Sequence, residues 1–171
     1  MSAFIQSVLR QFKLYKSLGD KTIEQLQLEH LSWHYNNESN SIIVLVKHIK
    51  GNMLSRWTDF LHSDGEKEWR HRDKEFEEST FTKDQVIQVW EEGWKCLFDA
   101  IENLTDEQLE NIIYIRQQPL TVMDAILRQL AHYSYHVGQM VYIGKMIRND
   151  QWHNLSIPRG HSEDYNNAMK K

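Results

Sequence analysis

Apolar residues recur at helical intervals in four long stretches of the chain. In the first, Phe4, Val8, Leu9, Phe12 and Tyr15 share one side of a helix over about residues 2–18, with Gly19 as its expected end. Thr22 followed by Gln25 has the form of a capping box and predicts a short helix to about His30. A second long helix is expected from Asn40 as N-cap. It carries Ile42, Leu45, Val46, Ile49, Met53, Trp57, Phe60 and Leu61 until Ser63-Asp64-Gly65 stops it. Thr82 with Gln85 opens a third, whose apolar face holds Val86, Val89, Trp90, Leu97 and Ile101. Thr105 with Gln108 predicts a brief helical piece to about Ile113, and residues 114–119 break the pattern. Thr121 with Asp124 then opens a fourth long helix reaching about Ile147.

Between the second and third helices, residues 64–81 are dense in both charge signs and short of periodic apolar positions. This predicts an extended surface loop, of a length that lids, binding segments and plain solvated connections all share. The two prolines, Pro119 and Pro158, fall where the pattern is already broken, so the long helices run uninterrupted. The expected fold is therefore all-α: one domain of 171 residues, four long helices packed as a bundle, a charged loop at about 63–81 and an irregular tail from about 149.

Composition changes this picture little. Apolar residues make up 40% and charged residues 26% of the chain, ordinary globular proportions that exclude wholesale disorder. A net charge of −4, with Lys and Arg interleaved among acids, gives no reason to expect nucleic acid as a partner. No stretch approaches the roughly 18 consecutive apolar residues of a membrane span. The N-terminus lacks the apolar block and cleavage site of a signal peptide, and the single Cys96 cannot form an internal disulfide. A cytoplasmic location is the expectation.

The chemistry lies in the histidines. His132 and His136 stand one helical turn apart, so both imidazoles can reach one metal ion. Nine histidines easily supply such a pair by chance, and His30 with His34 is a second one. The later pair sits inside a long capped helix, whereas the earlier straddles the end of a short helical pattern and a polar run. Both His132 and His136 fall on the flank of the fourth helix's apolar stripe, and His48 sits similarly on the second helix with Val44, Leu45 and Asn52. Spacing alone leaves them open between metal ligands and ordinary satisfied or exposed side chains. His132 is followed by Tyr133, so the His-Glu-x-x-His pattern of a metalloprotease is absent. No Gly-x-Ser-x-Gly, P-loop or Gly-x-Gly-x-x-Gly occurs, and Cys96 reads as packing or surface rather than nucleophile.

Several segments together resemble one family. They are Asn40-Ser41-Ile42 leading to His48, residues 51–60 (Gly-Asn-Met-Leu-Ser-Arg-Trp-Thr-Asp-Phe), residues 64–70 (Asp-Gly-Glu-Lys-Glu-Trp-Arg), Arg72-Asp73 with Glu75-Phe76, the His132 and His136 pair, and Ser156-Ile157-Pro158-Arg159-Gly160. The chain resembles, over nearly its whole length, the DinB-like superfamily, also called the YfiT-like metal-dependent hydrolases, and a bacterial subfamily within it. The resemblance implies a four-helix bundle of up-down-down-up order. It also implies a divalent metal, zinc or nickel foremost, held by His48, His132 and His136, and a homodimer. Some members of the superfamily transfer low-molecular-weight thiols.

Three neutral imidazoles leave a metal's charge uncompensated and a coordination position open, the composition of a catalytic site. Asn52 and Arg56, one and two turns beyond His48, are candidate substrate-binding residues on the same face, and Arg159 in the tail is a candidate anion clamp. The first expectation is a thiol S-transferase acting on a small electrophile. A metal-water hydrolase and a non-catalytic, metal-stabilised dimeric binding module are the alternatives.

Overall fold

The computed structural model describes residues 2–170 and is mostly helical. Its elements in chain order are α1 (Ala3–Glu24), α2 (Leu28–Leu31), α3 (Ile42–Trp57), α4 (Lys83–Glu102), the strands β1 (Ile112–Ile115) and β2 (Gln118–Thr121), α5 (Val122–Arg148) and α6 (Ser162–Met169). The four long helices are the four the apolar periodicity predicts. Their buried faces share one hydrophobic core, built from Ile5, Val8 and Phe12 of α1, Leu45, Ile49 and Met53 of α3, Trp90, Trp94 and Leu97 of α4, and Ile126, Tyr133 and Val137 of α5. Phe12, Trp94 and Tyr133 meet one another at ring separations of 6.1 to 6.3 Å and tie three helices together at the centre.

Helix starts follow the expected chemistry. Thr82 and Gln85 form a reciprocal capping box at α4, with Thr82 Oγ1 accepting from Gln85 N at 3.2 Å and Gln85 Oε1 accepting from Thr82 N at 2.8 Å. Thr121 Oγ1 caps α5 by accepting from Asp124 N at 3.0 Å. At α3 the cap is Ser41, one residue later than expected, its hydroxyl accepting from Val44 N.

Other parts of the chain depart further from expectation. Gly19 does not end α1. A Cβ there would lie 2.3 Å from the Trp90 ring, so the glycine admits α4's indole against α1 while the helix continues through it. Thr22 is consequently mid-helix and buried, its hydroxyl donating back to the Leu18 carbonyl at 2.7 Å instead of capping a new helix. The second long helix stops at Trp57 rather than at Ser63. Asp59 takes a left-handed backbone (φ 47°), and its carbonyl accepts from His62 N and Ser63 N to close a turn. The tail contains the exposed helix α6, although no residue of α6 is buried.

The region expected to be helical up to Ile113 is instead a 3₁₀ turn (Glu107–Glu110) followed by an antiparallel hairpin, with Ile112 opposite Thr121 and Ile115 opposite Gln118. Its two-residue turn, Arg116-Gln117, has φ of 55° and 61°, the conformation that asparagine and glycine adopt at least cost. Here it is held from outside. The Asp64 carboxylate accepts from Arg116 N at 2.8 Å and from Gln117 N at 2.7 Å, and Gly65 N donates to the Tyr114 carbonyl at 2.8 Å. Partial burial works against the Asp64 carboxylate. The N–H groups of Glu66, Gln117 and Arg116, with the charge of Arg56, outweigh it and hold the group below the usual carboxylate range.

Asp64→Asn should therefore lower the stability of the chain by about 1 kcal/mol in denaturant titration at neutral pH. Because the folded-state pKa is depressed, the ionised group's contribution is present above the unfolded value of about 3.9 and disappears as pH falls through the folded one. The gap between parent and variant should close over that acid range, and a gap independent of pH would contradict the clamp.

Candidate metal centre

α3 and α5 present the three histidines to one another. His48 and His136 are buried and His132 is half-buried. His132 Nε2 lies 3.3 Å from His48 Nε2 and 3.0 Å from His136 Nε2, and the three ligand nitrogens all fall within 4.8 Å of one another. Nitrogens bound to one ion at about 2.1 Å sit roughly 3.0 to 3.4 Å apart in octahedral or tetrahedral geometry, so the two separations from His132 match those of ligands to a shared divalent cation.

The outer nitrogens are tied down in a way that directs the inner ones. His48 Nδ1 lies 2.9 Å from Glu75 Oε2, and since a carboxylate only accepts, Nδ1 is the donor, which in the neutral ring leaves the lone pair on Nε2. His136 Nδ1 donates likewise to Gln139 Oε1 at 2.8 Å. With all three rings neutral, the outer Nε2 lone pairs both face His132 Nε2, so a single N–H on His132 satisfies one neighbour and leaves the other facing a lone pair. A cation among the three removes that conflict. Burial first, then the neighbouring His136 and His48, push the His132 imidazole down to about 3. Burial also lowers His136, against the pull of its Gln139 hydrogen bond. Both are neutral at neutral pH, the form a metal ligand needs.

Behind His48 stands a buried ion pair that reading the histidines did not reveal. Arg70, its side chain 2% exposed, donates from Nε to Glu75 Oε1 at 2.8 Å and from Nη2 to Oε2 at 2.9 Å. Burial alone would raise the Glu75 pKa, but the hydrogen bonds from His48 and Arg70 and the charge of Arg70 prevail and keep it below its usual range. Gly51, one turn from His48 on α3, makes room for this carboxylate: a Cβ there would stand 2.1 Å from Glu75 Oε1. The charged segment therefore folds back onto α3 through a 3₁₀ turn (Arg72–Phe76), and Phe76 packs on the His48 ring at 4.9 Å. In the sequence Glu75 stands in a charged run and in one of the segments that carry the family resemblance, with nothing to tie it to His48, whereas Gln139, three residues after His136 on one helix, was readable as a neighbour.

The other candidate residues are placed elsewhere. Asn52 is buried between α3 and α5, its Oδ1 accepting from Gln129 Nε2 at 3.1 Å and from the Tyr133 hydroxyl at 3.0 Å. Arg56 donates to the Gly65 carbonyl, to Ser55 Oγ and to Glu66 Oε2, which anchors the charged segment. Arg159 is exposed in a turn closed by His161 N donating to the Pro158 carbonyl. The second histidine pair is not a ligand pair: His30 Nδ1 accepts from Gln27 N at 3.2 Å, capping α2, and His34 is exposed. Among the described residues no helix is long and apolar enough to cross a membrane.

A helical fold in which α3 and α5 bring three imidazoles together defines a protein with a candidate metal-binding centre. Residues 1–161 match the family described as "Protein of unknown function (DUF1572)", and the chain belongs to that family. No curated protein and no solved structure matches the chain.

Glu75→Gln should weaken zinc affinity about tenfold to a hundredfold while leaving the helical circular-dichroism signal unchanged. Gly51→Ala should act in the same direction by displacing the carboxylate. Competition against a chromophoric chelator measures both, and parental affinity in both variants would remove Glu75 from the centre.

Proposed function

We propose that the chain is a metal-dependent enzyme in which His48, His132 and His136 hold a divalent ion, zinc or nickel, and that it transfers a low-molecular-weight thiol to a small electrophile. The observation that carries this reading is the convergence of three Nε2 atoms whose two outer partners, Glu75 and Gln139, fix the tautomers. An ion with three neutral ligands supplies a Lewis-acidic charge and an open position, where a thiol or water loses its proton more readily.

The chain's own residues supply the rest. Glu75, braced by Arg70, keeps the His48 ring from rotating, and Gln139 does the same for His136. A groove of about 710 Å³ is lined in part by Tyr135 and Gln139, both of which touch His136. Tyr135 packs on the His136 ring at 4.8 Å and its hydroxyl accepts from Gln139 Nε2 at 3.2 Å. In the transfer, the thiol proton leaves to solvent, the sulfur forms the new bond to the electrophilic carbon, and the leaving group departs with its electron pair. Within this reading the four long helices take the up-down-down-up order of the DinB-like superfamily, and the chain pairs as a homodimer.

Purified protein should hold about one divalent ion per chain by elemental analysis, and His48→Ala combined with His132→Ala should abolish that stoichiometry. Chelation should stop thiol consumption in assays with small electrophiles, and zinc or nickel should restore it. Absence of stoichiometric metal, or unchanged affinity in the double variant, would refute the proposal.

A further inference from the structure

Four aromatic side chains line one groove: Trp33 and Tyr35 from the segment after α2, and Tyr135 and Tyr142 from α5. One wet aromatic residue is ordinary, but here Tyr35 (72% exposed), Tyr135 (63%), Tyr142 (67%) and Trp33 (36%) share a single concavity. Trp33 and Tyr35 meet edge to face at 6.4 Å. Tyr135 and Tyr142 lie two turns apart on the same side of α5 with Gln139 between them. The one charged side chain in the lining is Glu38; no Lys or Arg lines the groove. Among the described residues the Glu38 carboxylate forms no hydrogen bond or ion pair.

The lining discriminates among ligand charges. An anion would face Glu38 with no basic group to receive it. A purely apolar ligand would strip water from the Glu38 carboxylate, the tyrosine hydroxyls and the Gln139 amide without replacing it. A cation with an apolar surface satisfies both halves of the lining, because aromatic rings attract positive charge at their faces and Glu38 supplies the countercharge.

We propose that this groove binds a small organic cation of the methylated-ammonium class, its onium group among Trp33, Tyr35, Tyr135 and Tyr142 and its charge opposite Glu38. As an assignment of the substrate class of the histidine centre, this rests on the function proposed above; as a binding site it does not. Tyr135, which lines the groove, also packs on the His136 ring at 4.8 Å and links the two sites.

Titration calorimetry of the full chain with choline and with its uncharged isostere 3,3-dimethyl-1-butanol tests the proposal, on chelator-treated and on zinc-loaded protein. Choline should bind both forms, with the isostere weaker by about tenfold or more. The exposed-ring variants Trp33→Ala and Tyr142→Ala should each weaken choline binding about fivefold, Glu38→Gln should weaken it in a salt-dependent manner, and Tyr142→Phe should bind like the parent. Equal affinity for choline and the isostere, no choline binding up to about 10 mM, where an affinity would be under roughly 3 kcal/mol, or unaltered binding by both alanine variants would each overturn it. Choline binding without metal affinity would leave this site standing and remove the function proposed above, and metal binding without choline binding would do the reverse.

Discussion

The geometry of the histidines depends on one buried amide. Asn52 Oδ1 receives two donors from α5, Gln129 and Tyr133, and the Tyr133 hydroxyl in turn accepts from Trp57 Nε1 at 3.1 Å. Apolar packing alone lets two helices slide by a fraction of a turn at little cost, whereas a buried donor left without its acceptor costs about 1–3 kcal/mol. The fork therefore sets the register of α3 against α5. His48 lies one turn before Asn52, and His132 stands immediately before Tyr133, so the same register brings the imidazoles together. Asn52, singled out in the sequence for its position near His48, is held by protein groups on the helix interface.

The charged segment after α3 is fastened at two points, and each has a different task. Near its start, Asp64 and Gly65 bind the hairpin turn, while Arg56 and Ser55 hold the Gly65 carbonyl. Near its end, Arg70 and Glu75 are drawn under α3 at Gly51 and reach His48. Taking these charges out of water is tolerable because each carboxylate oxygen of Glu75 has a donor and the guanidinium is matched to both. A segment whose composition suggests a solvated loop thus supplies the outer support of the centre.

Much of the fold was legible because it is governed by local periodicity. The four long helices and the caps at Thr82 and Thr121 are properties of neighbouring residues. What was not legible depends on residues distant in sequence. Gly19 reads as a helix stop until Trp90 occupies the space it leaves. Arg116 and Gln117 carry no hairpin signal of their own, because their left-handed backbone is supported by Asp64. The apolar pattern continues through Phe60 and Leu61, so the break at Asp59 is invisible to it. In the site, the spacing of His132 and His136 was readable and equally so for His30 and His34; only burial and partners separate a converging pair from a capping one. Glu75 could not be distinguished from the acids around it without knowing that α3 offers a glycine opposite.

The members of the centre come from far apart: His48 and His132 are separated by 84 positions, and His48 and Glu75 by 27. α5 alone brings His132, His136 and Gln139 together, but the third imidazole and its carboxylate join them only once α3 has docked and the intervening segment has folded back. Any ion gripped by all three imidazoles would accordingly distinguish finished chains from those still on the way, a checkpoint on tertiary assembly.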